Sequence, residues 1–413
     1  MTQPQFYVVG GAVRDAILGV KPTDIDYLVV GATPEWMLEN GYTQVGADFP
    51  VFLKNGEEYA LARTERKTGA GYHGFETNSD PSVTLEQDLE RRDLTVNSMA
   101  VELKYWNEFL TLCEKYRTSL EADFLDEYVH NWKDHIFDKV IMMNGGAFKE
   151  DPVRVFRAVR MRHTLPKGEG CQFVGDEWDY GARTWKAMEE MVASDDFKEL
   201  TPERVAQEVL KAAAKCLNIG QFAAFMNDIE ALGAMPSVVD GEISWFPELD
   251  VDLEKVTRED GVSDREVVAY MMLCMPNTPH KELKQRFKDR RYSNDAINFG
   301  HAVYAIHEAY GNNSKCGTNG MMTAEKYLEV VASISRNELN GAVLFLMELE
   351  LVHQHNLDMI LRAHDIQYMT GIESLTTEQQ QSLTGRAIGD AIKATRIKLL
   401  DEVIAYYLKR AEN

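Results

Sequence analysis

Asp24 and Asp26 stand two residues apart at the head of the apolar run DIDYLVV, just downstream of the glycine pair in VVGGAVRD. In a strand, residues i and i+2 project from one face, roughly 7 Å apart. The spacing therefore predicts two carboxylates side by side, with Ile25 directed to the core behind them. Adjacent carboxylates repel, and one keeps its proton unless a cation lies between them. A hard divalent ion is the natural neutraliser, because magnesium takes one or two protein carboxylates and completes its shell with water and phosphate oxygens. Gly10 and Gly11 let backbone N–H groups approach an anion at the start of a helix whose dipole favours negative charge, and Arg14 lies in that first turn. Together these parts describe a phosphate cradle beside a metal-holding strand. Each has an ordinary alternative: aspartates that lead from a turn into a strand, and glycines that serve a tight turn.

The elements that must hold these groups are legible in outline. FYVVGG reads as a strand closed by glycine, AVRDAILG as a short helix ending at Gly19, and DIDYLVV as a second strand. ATPEWMLENGY carries Thr33 as N-cap, Pro34 at the first helical position and Gly41 past the end. Asn55-Gly56 between two strand-like runs predicts a hairpin, and the glycine-rich TGAGYHGFE a mobile loop. From Thr84 the stretch TLEQDLERRDLTVNSMAVEL reads as helix, with Arg92 and Asp93 on it and Asn97 one turn beyond. After Asp151 apolar residues recur every three or four positions nearly to the end, predicting helices in EDPVRVFRAVRMRH, TPERVAQEVLKAAAKCL, HAVYAIHEAY, NGAVLFLMELELVHQ and TRIKLLDEVIAYYLKR. The acid- and proline-containing stretch 236–264 predicts a boundary between helical modules. The fold class is α+β, with an α+β N-terminal domain and an all-helical remainder.

A chain of 413 residues, 45% hydrophobic and 27% charged, predicts two or three globular domains. No apolar run is long enough to span a bilayer, and the first residues lack a signal-peptide pattern. Five dispersed cysteines without metal-ligand spacing predict a reducing, cytoplasmic setting and no structural zinc. The net charge of −22 repels polyanions, so any nucleic-acid partner requires local basic surfaces. KELKQRFKDRR supplies one, with Lys281, Lys284, Arg286, Lys288, Arg290 and Arg291 against Glu282 and Asp289. GRAIGDAIKATRIK supplies another, with Arg386, Lys393, Arg396 and Lys398. Solvated helix faces are the ordinary alternative for both.

GGAVRD followed by DID, then RRDLTVNSMA at 91–100 and EDPVRVFRAVR at 150–160, resembles the class II tRNA nucleotidyltransferases, the CCA-adding enzymes, most closely the bacterial form. The likeness is dense over residues 6–100 and resumes around 126–163 and in TPERVAQEVL at 201–210. It implies a polymerase-β-like nucleotidyltransferase head (1–138), a helical neck that reads the base (139–235) and a helical body and tail that bind tRNA (236–413). The implied reaction is template-independent addition of C, C and A to the tRNA 3′ end from CTP and ATP. It implies that Asp24 and Asp26 hold Mg²⁺, with two ions serving the 3′-hydroxyl and the triphosphate. It also implies that Arg92 contacts the nucleotide phosphates and Asp93 the ribose, with Gly10, Gly11 and Arg14 at the triphosphate. Bacterial poly(A) polymerases share the head motifs, and relatives that add only C or only A share them all, so these alternatives stay open. No membrane and no protein partner is expected.

EDPVRVFR gives the base-reading chemistry. Asp151 is placed to cap a helix with Pro152 at its first position, Val155, Phe156 and Val159 forming the buried stripe, and Asp151, Arg154 and Arg157 sharing the opposite face. Cytosine and adenine both present an amino donor next to a ring-nitrogen acceptor, whereas guanine and uracil present the reverse. A carboxylate only accepts and a guanidinium only donates. Asp151 on the amino group and Arg154 on the ring nitrogen therefore admit C and A and leave unpaired groups against G and U, at about 1–3 kcal/mol each. Arg157 lies deeper on the same face, toward the base or the triphosphate.

Three departures from the family pattern stand out. Only His364-Asp365 matches the His-Asp pair of relatives that carry a phosphohydrolase site, which predicts no such activity here. Residues 102–125 form an insertion, and LDEYVHNW replaces an Asp-Pro-aromatic-x-Gly turn with the proline and glycine gone.

Overall fold

A computed structural model of the chain describes residues 3–46, 51–67, 75–117, 122–166, 177–216, 219–239, 262–275, 278–313, 322–332, 334–349, 351–352 and 354–411. Most of the glycine-rich segment expected to be a mobile loop, and most of the acid-rich stretch expected to be a boundary, lie outside these residues; Phe75 and Glu76 at the end of the former are in a strand. Cys171 and Cys316 also lie outside the described residues, while Cys113, Cys216 and Cys274 are buried free thiols. The chain divides into two compact units, Met1–Ala212 with Ala223–Ser237, and Ala213–Phe222 with Val238–Asn413.

The first unit is built on strands β1 (Gln5–Val9), β2 (Asp26–Val30), β3 (Thr43–Val45), β4 (Val51–Lys54), β5 (Glu57–Leu61), β6 (Thr64–Lys67), β7 (Phe75–Asn78), β8 (Ala100–Glu102), β9 (Val129–His130), β10 (Val140–Ile141) and β11 (Asp179–Tyr180). Its helices are α1 (Gly11–Ile17), α2 (Pro34–Glu39), α3 (Leu85–Glu90), α4 (Trp106–Lys115), α5 (Ala122–Tyr128), α6 (Arg154–Thr164), α7 (Ala182–Val192), α8 (Asp195–Lys198), α9 (Pro202–Ala213) and α10 (Ile219–Ala231). A 7-stranded mixed sheet runs in the order β3-β4-β5-β2-β1-β8-β9, in which β2 and β5 are parallel and the other neighbours antiparallel. Tyr7, Val9 and Leu28 on one face of this sheet bury against Val83, Leu85 and Leu89 of and beside α3. The expected local signals hold where turn chemistry decides. Thr33 caps α2 by accepting from the Trp36 N–H at 3.1 Å, and Asn55 and Gly56 both take positive φ, 56° and 84°, as a tight hairpin between antiparallel strands demands.

Three expectations are corrected. β2 begins at Asp26, and Asp24 stands in a bend ahead of it, so the two carboxylates meet through a turn rather than on one strand face. The helix from Thr84 stops at Glu90, Arg92 and Asp93 occupy the bend after it, and Ala100–Glu102 turns into β8. Ser98 and Asn97 favour that break: the Ser98 hydroxyl donates to the Leu94 carbonyl at 2.8 Å, and Ala100 then pairs with Val9 of β1, a long-range ladder that local periodicity cannot foresee. Finally, α6 starts at Arg154, so Asp151 does not cap it; the Asp151 carboxylate instead accepts from the Val153 N–H at 3.2 Å in the turn before. The buried stripe of Val155, Phe156 and Val159 is as expected, each 0% exposed.

The 102–125 segment forms α4 and the start of α5. Trp106, Phe109 and Cys113 are the buried face of α4, which packs on α1. Val129 and Val101 pair in the β8–β9 ladder, and Asn131 takes φ 60° while its side chain donates to the Ser98 carbonyl at 2.8 Å. Asparagine enters this left-handed region more readily than most residues with a Cβ.

The short α11 (Met235–Val238) falls, but for its last residue, in the first unit. The second unit is helical: α12 (Asp264–Leu273), α13 (His280–Asp289), α14 (Asn294–Asn313), α15 (Ala324–Val331), α16 (Arg336–Glu348), α17 (Gln354–Met369), α18 (Thr377–Ser382) and α19 (Arg386–Ala411). Its core joins Ala302, Ile306, Tyr327, Leu346, Ile360 and Leu400, so the helices expected from three- and four-residue periodicity are present. No helix of the described residues is long and apolar enough to cross a membrane.

Candidate active site

The ladder register places Asp26 beside Val9 on one side and Glu58 on the other. Val9 leads directly into Gly10, so the glycine turn starts on the flank of the carboxylate. Gly10 sits at φ 71° and ψ −123°, a conformation costly to a residue with a Cβ. A Cβ there would also lie 3.1 Å from Nη1 of Arg92. Arg92 reaches this turn because Asp88, fully buried, holds its other two nitrogens at 3.2 and 3.0 Å. The second oxygen of Asp88 takes Arg91 at 2.7 Å. Burial works to raise the Asp88 carboxyl, but the two arginines prevail and hold it below the usual range.

Asp24 and Asp26 are both accessible. Burial of its surroundings and the charge of Asp24 push the Asp26 carboxyl up, against the pull of Arg92, with Glu58 adding to the rise. Adjoining carboxylates repel in this way. Glu58, the third acid of this edge, is a neighbour sequence reasoning missed. Among the described residues no three His, Cys, Asp or Glu side chains converge to hold a metal alone. Hard oxygen donors with the remaining positions left to phosphate and water fit magnesium rather than zinc.

Arg14, expected at the triphosphate, has its Nη2 3.4 Å from where a Cβ of Gly11 would lie. It is buried, and donates to Asp15 through Nε at 2.8 Å and to Oδ1 of Asn97 through Nη1 at 2.5 Å, so it braces the glycine turn. Asp93 and Arg157, expected at the ribose and near the base, are brought to each other: Nε of Arg157 donates to Oδ2 of Asp93 at 2.7 Å. Oδ1 of Asp93 accepts from the Leu94 N–H at 2.8 Å and from Asn97 at 3.1 Å. Burial opposes the charge on Asp93, yet Arg157 and Asn97 outweigh it and bring the carboxyl to about 2. Asp93 in turn holds the Arg157 guanidinium above its ordinary value.

Asp151 and Arg154 remain half-buried at the start of α6. Nη1 of Arg154 donates to the Ala147 carbonyl at 2.7 Å. Asp151 is gripped by Arg204 of α9 through both oxygens, at 3.1 and 2.6 Å. One turn along α9, Glu208 accepts from Arg160 at 2.7 Å in a buried pair. Arg204 and Glu208 were missed; their signal was the i, i+4 spacing in TPERVAQEVL. A cleft of about 520 Å³ lined by Glu65, Gln87, Arg91 and Asn144–Ala147 opens beside these groups and does not include Asp24 or Asp26.

In the second unit, α13 buries Leu283 and Phe287, exposes Lys281 and Lys288 and leaves Lys284 and Arg286 half-buried; just past its end Arg290 is half-buried and Arg291 exposed. On α19, Lys393 pairs with Glu325 at 2.6 Å and Arg396 donates to the Thr370 carbonyl at 2.7 Å, so that helix offers the weaker basic surface. His364 is buried against the Tyr368 ring, 4.4 Å between centroids, and Asp365 lies 3.5 Å from Arg336.

Residues 6–114 match the family model described as the poly A polymerase head domain. The chain is 33% identical over 409 residues to the CCA-adding enzyme of Marinobacter nauticus, covering 97% of this chain and 99% of that one. It is 41% identical over 260 residues to the Multifunctional CCA protein of Vibrio parahaemolyticus, covering 60% of this chain and 56% of that protein. Its fold matches a solved CCA-adding enzyme in apo form with a TM-score of 0.59 at 18% identity, over 96% of this chain and 88% of the other. A polymerase-β-like head with a mixed sheet, a helical remainder and near full-length identity to an enzyme of that name establish that this chain belongs to the CCA-adding enzymes.

Proposed function

We propose that the first unit transfers CMP, CMP and AMP in turn to the 3′ end of tRNA from CTP and ATP, releasing pyrophosphate. The observation that carries this reading is the convergence of Asp24, Asp26, the Gly10 turn and Arg92 at one end of the adjoining central strands β1 and β2. Asp24 and Asp26 would hold Mg²⁺. When bound, the metal supplies charge neutralisation of the triphosphate and acidifies the attacking hydroxyl.

The protein's own groups do the rest by positioning, which dominates in phosphoryl-type transfer. Gly10 and Gly11 admit a triphosphate close to the backbone, and Arg92, aimed by Asp88, faces that space. Asp151 is fixed in direction by the two-point contact from Arg204, so it accepts from the amino group of C or A. Arg154 donates to the adjacent ring nitrogen. Asp93, whose Oδ2 accepts from Arg157, is the candidate for the ribose hydroxyl. Residues 1–138 would act as head, 139–235 as the base-reading neck and 236–413 as the tRNA-binding body and tail, with α13 as the main basic surface. A tRNA substrate fits a cytoplasmic enzyme.

One assay tests the reading. tRNA lacking its terminal CCA is incubated with CTP, ATP or both, and the product ends are sequenced. Ordered CCA ends are expected. A-only extension of many RNAs would make the chain a poly(A) polymerase, and a single C or A step a partial relative.

A further inference from the structure

The glycine turn and the base-reading helix are joined by one side chain. Asn97 accepts from Nη1 of Arg14 at 2.5 Å through Oδ1 and donates to Oδ1 of Asp93 at 3.1 Å through Nδ2. Asp93 then accepts from Arg157 of α6 at 2.7 Å. Arg14 and Asn97 are 6% and 8% exposed and Asp93 4%, so water competes little with these bonds. The amide can face only one way. A guanidinium has no acceptor and an ionised carboxylate no donor, so Oδ1 must meet Arg14 and Nδ2 must meet Asp93. Replacement of the amide by a group with two acceptors or none breaks the series at a defined atom. The backbone carbonyl of Asn97 also closes on the turn, 3.5 Å from where a Cβ of Gly10 would lie.

We infer that Asn97 is a positioning residue that fixes the register between the triphosphate turn and the face of α6 that reads the base. The inference rests on the proposed nucleotide transfer at this site. Template-free selection needs such a register. The base edge is judged at Asp151 and Arg154, at the head of α6, while the bond is made near Asp26. A shift between the two lowers the turnover of the correct nucleotide more than that of a wrong one, because only the correct base gains from alignment. Discrimination therefore falls together with rate.

The test uses the full chain, tRNA lacking CCA, and CTP against UTP in steady-state assays. Asn97→Asp keeps the shape and the Arg14 bond, removes the donor to Asp93 and sets a second negative charge beside it. Arg157→Lys removes the fork at the other end. Each variant is expected to lower kcat for CTP at least tenfold with KM changed less than threefold, and to lower the C-over-U preference at least fivefold. The double variant is expected to be no worse than the poorer single one, since both break one series. Multiplying effects, or an unchanged C-over-U ratio in Asn97→Asp, would overturn the inference. Asn97→Ala, which places no charge beside Asp93, carries the same comparison should the aspartate prevent folding, as judged by thermal melting. A parent enzyme that adds no nucleotide at all sinks the transfer reading instead, and the inference with it. A parent that adds C normally while the variants match it sinks the inference alone.

Discussion

Arg204 sets Nη1 3.1 Å from Oδ1 and Nη2 2.6 Å from Oδ2 of Asp151, a two-point clamp from α9 onto the turn that precedes α6. A forked guanidinium fixes both the charge and the plane of a carboxylate, which an ammonium cannot do. Arg204→Lys is therefore expected to retain the fold and to lose base selection. The C-over-U preference should fall about tenfold, on the order of 1.4 kcal/mol. Competition between CTP and UTP on one tRNA measures it, and parent-like selectivity in the lysine variant would separate Arg204 from base reading.

Asp24→Asn and Asp26→Asn should each abolish incorporation, by a factor of about 10³ or more on the scale of lost electrostatic stabilisation. Stability should move the other way. Asp24 pushes up the Asp26 carboxyl, so neutralising one member relieves repulsion. Melting temperatures equal to or above the parent's are expected in the absence of added metal. A variant that melts early would point to a structural duty for the pair.

Gly10→Ala combines a positive φ of 71° with a Cβ 3.1 Å from Arg92. The backbone strain alone costs about 1–3 kcal/mol, and Arg92 must give way. Denaturant unfolding should show that loss, and the KM for CTP should rise as Arg92 is displaced. Unaltered stability would mean that the turn can relax into another shape.

Acid should weaken the tie between Asp93 and α6. The Asp93 carboxyl is depressed in the folded protein to about 2, below its unfolded value, so ionised Asp93 stabilises the fold fully above an unfolded value of about 4. That contribution, on the order of 2 kcal/mol, is lost as pH falls through the window between the unfolded and folded values. Asp93→Asn removes it at every pH. Melting curves taken from neutral into the acid range should therefore converge for parent and variant as the medium becomes acid. A constant gap would remove Asp93 from the acid response.

On α13, Lys281 and Lys288 are exposed beside the buried Leu283 and Phe287. Lys281→Glu with Lys288→Glu should weaken tRNA binding and flatten its salt dependence by about 0.7–0.9 logarithmic units for each phosphate no longer neutralised. Filter binding across a salt series reads both. Identical slopes would assign tRNA binding to another surface.

Much of this site was legible in one dimension because the chemistry lies in short runs. GGAVRD, DID, RRD and EDPVR each bring their groups together within a turn or two, and Thr33, Asn55 and Gly56 act on their immediate neighbours. The errors share a cause. The extension of helix through RRDLTVNSMA failed because Ala100 finds a partner in Val9, far back at the start of the chain, and Asp151 lost its capping role to a partner on α9.

The sequence by itself determined which residue types could carry the chemistry: paired acids, a glycine turn, arginines and an Asp/Arg pair of acceptor and donor, because donor and acceptor character belongs to the side chain wherever it sits. The tertiary structure alone decided which charges are spent on each other. Arg14 went to Asp15 and Asn97, Arg157 to Asp93 and Arg204 to Asp151, whereas Arg92 was steered by Asp88 to the glycine turn. A buried ion demands a partner within about 3 Å, and which partner comes that close is settled only when strands and helices distant in the chain have packed.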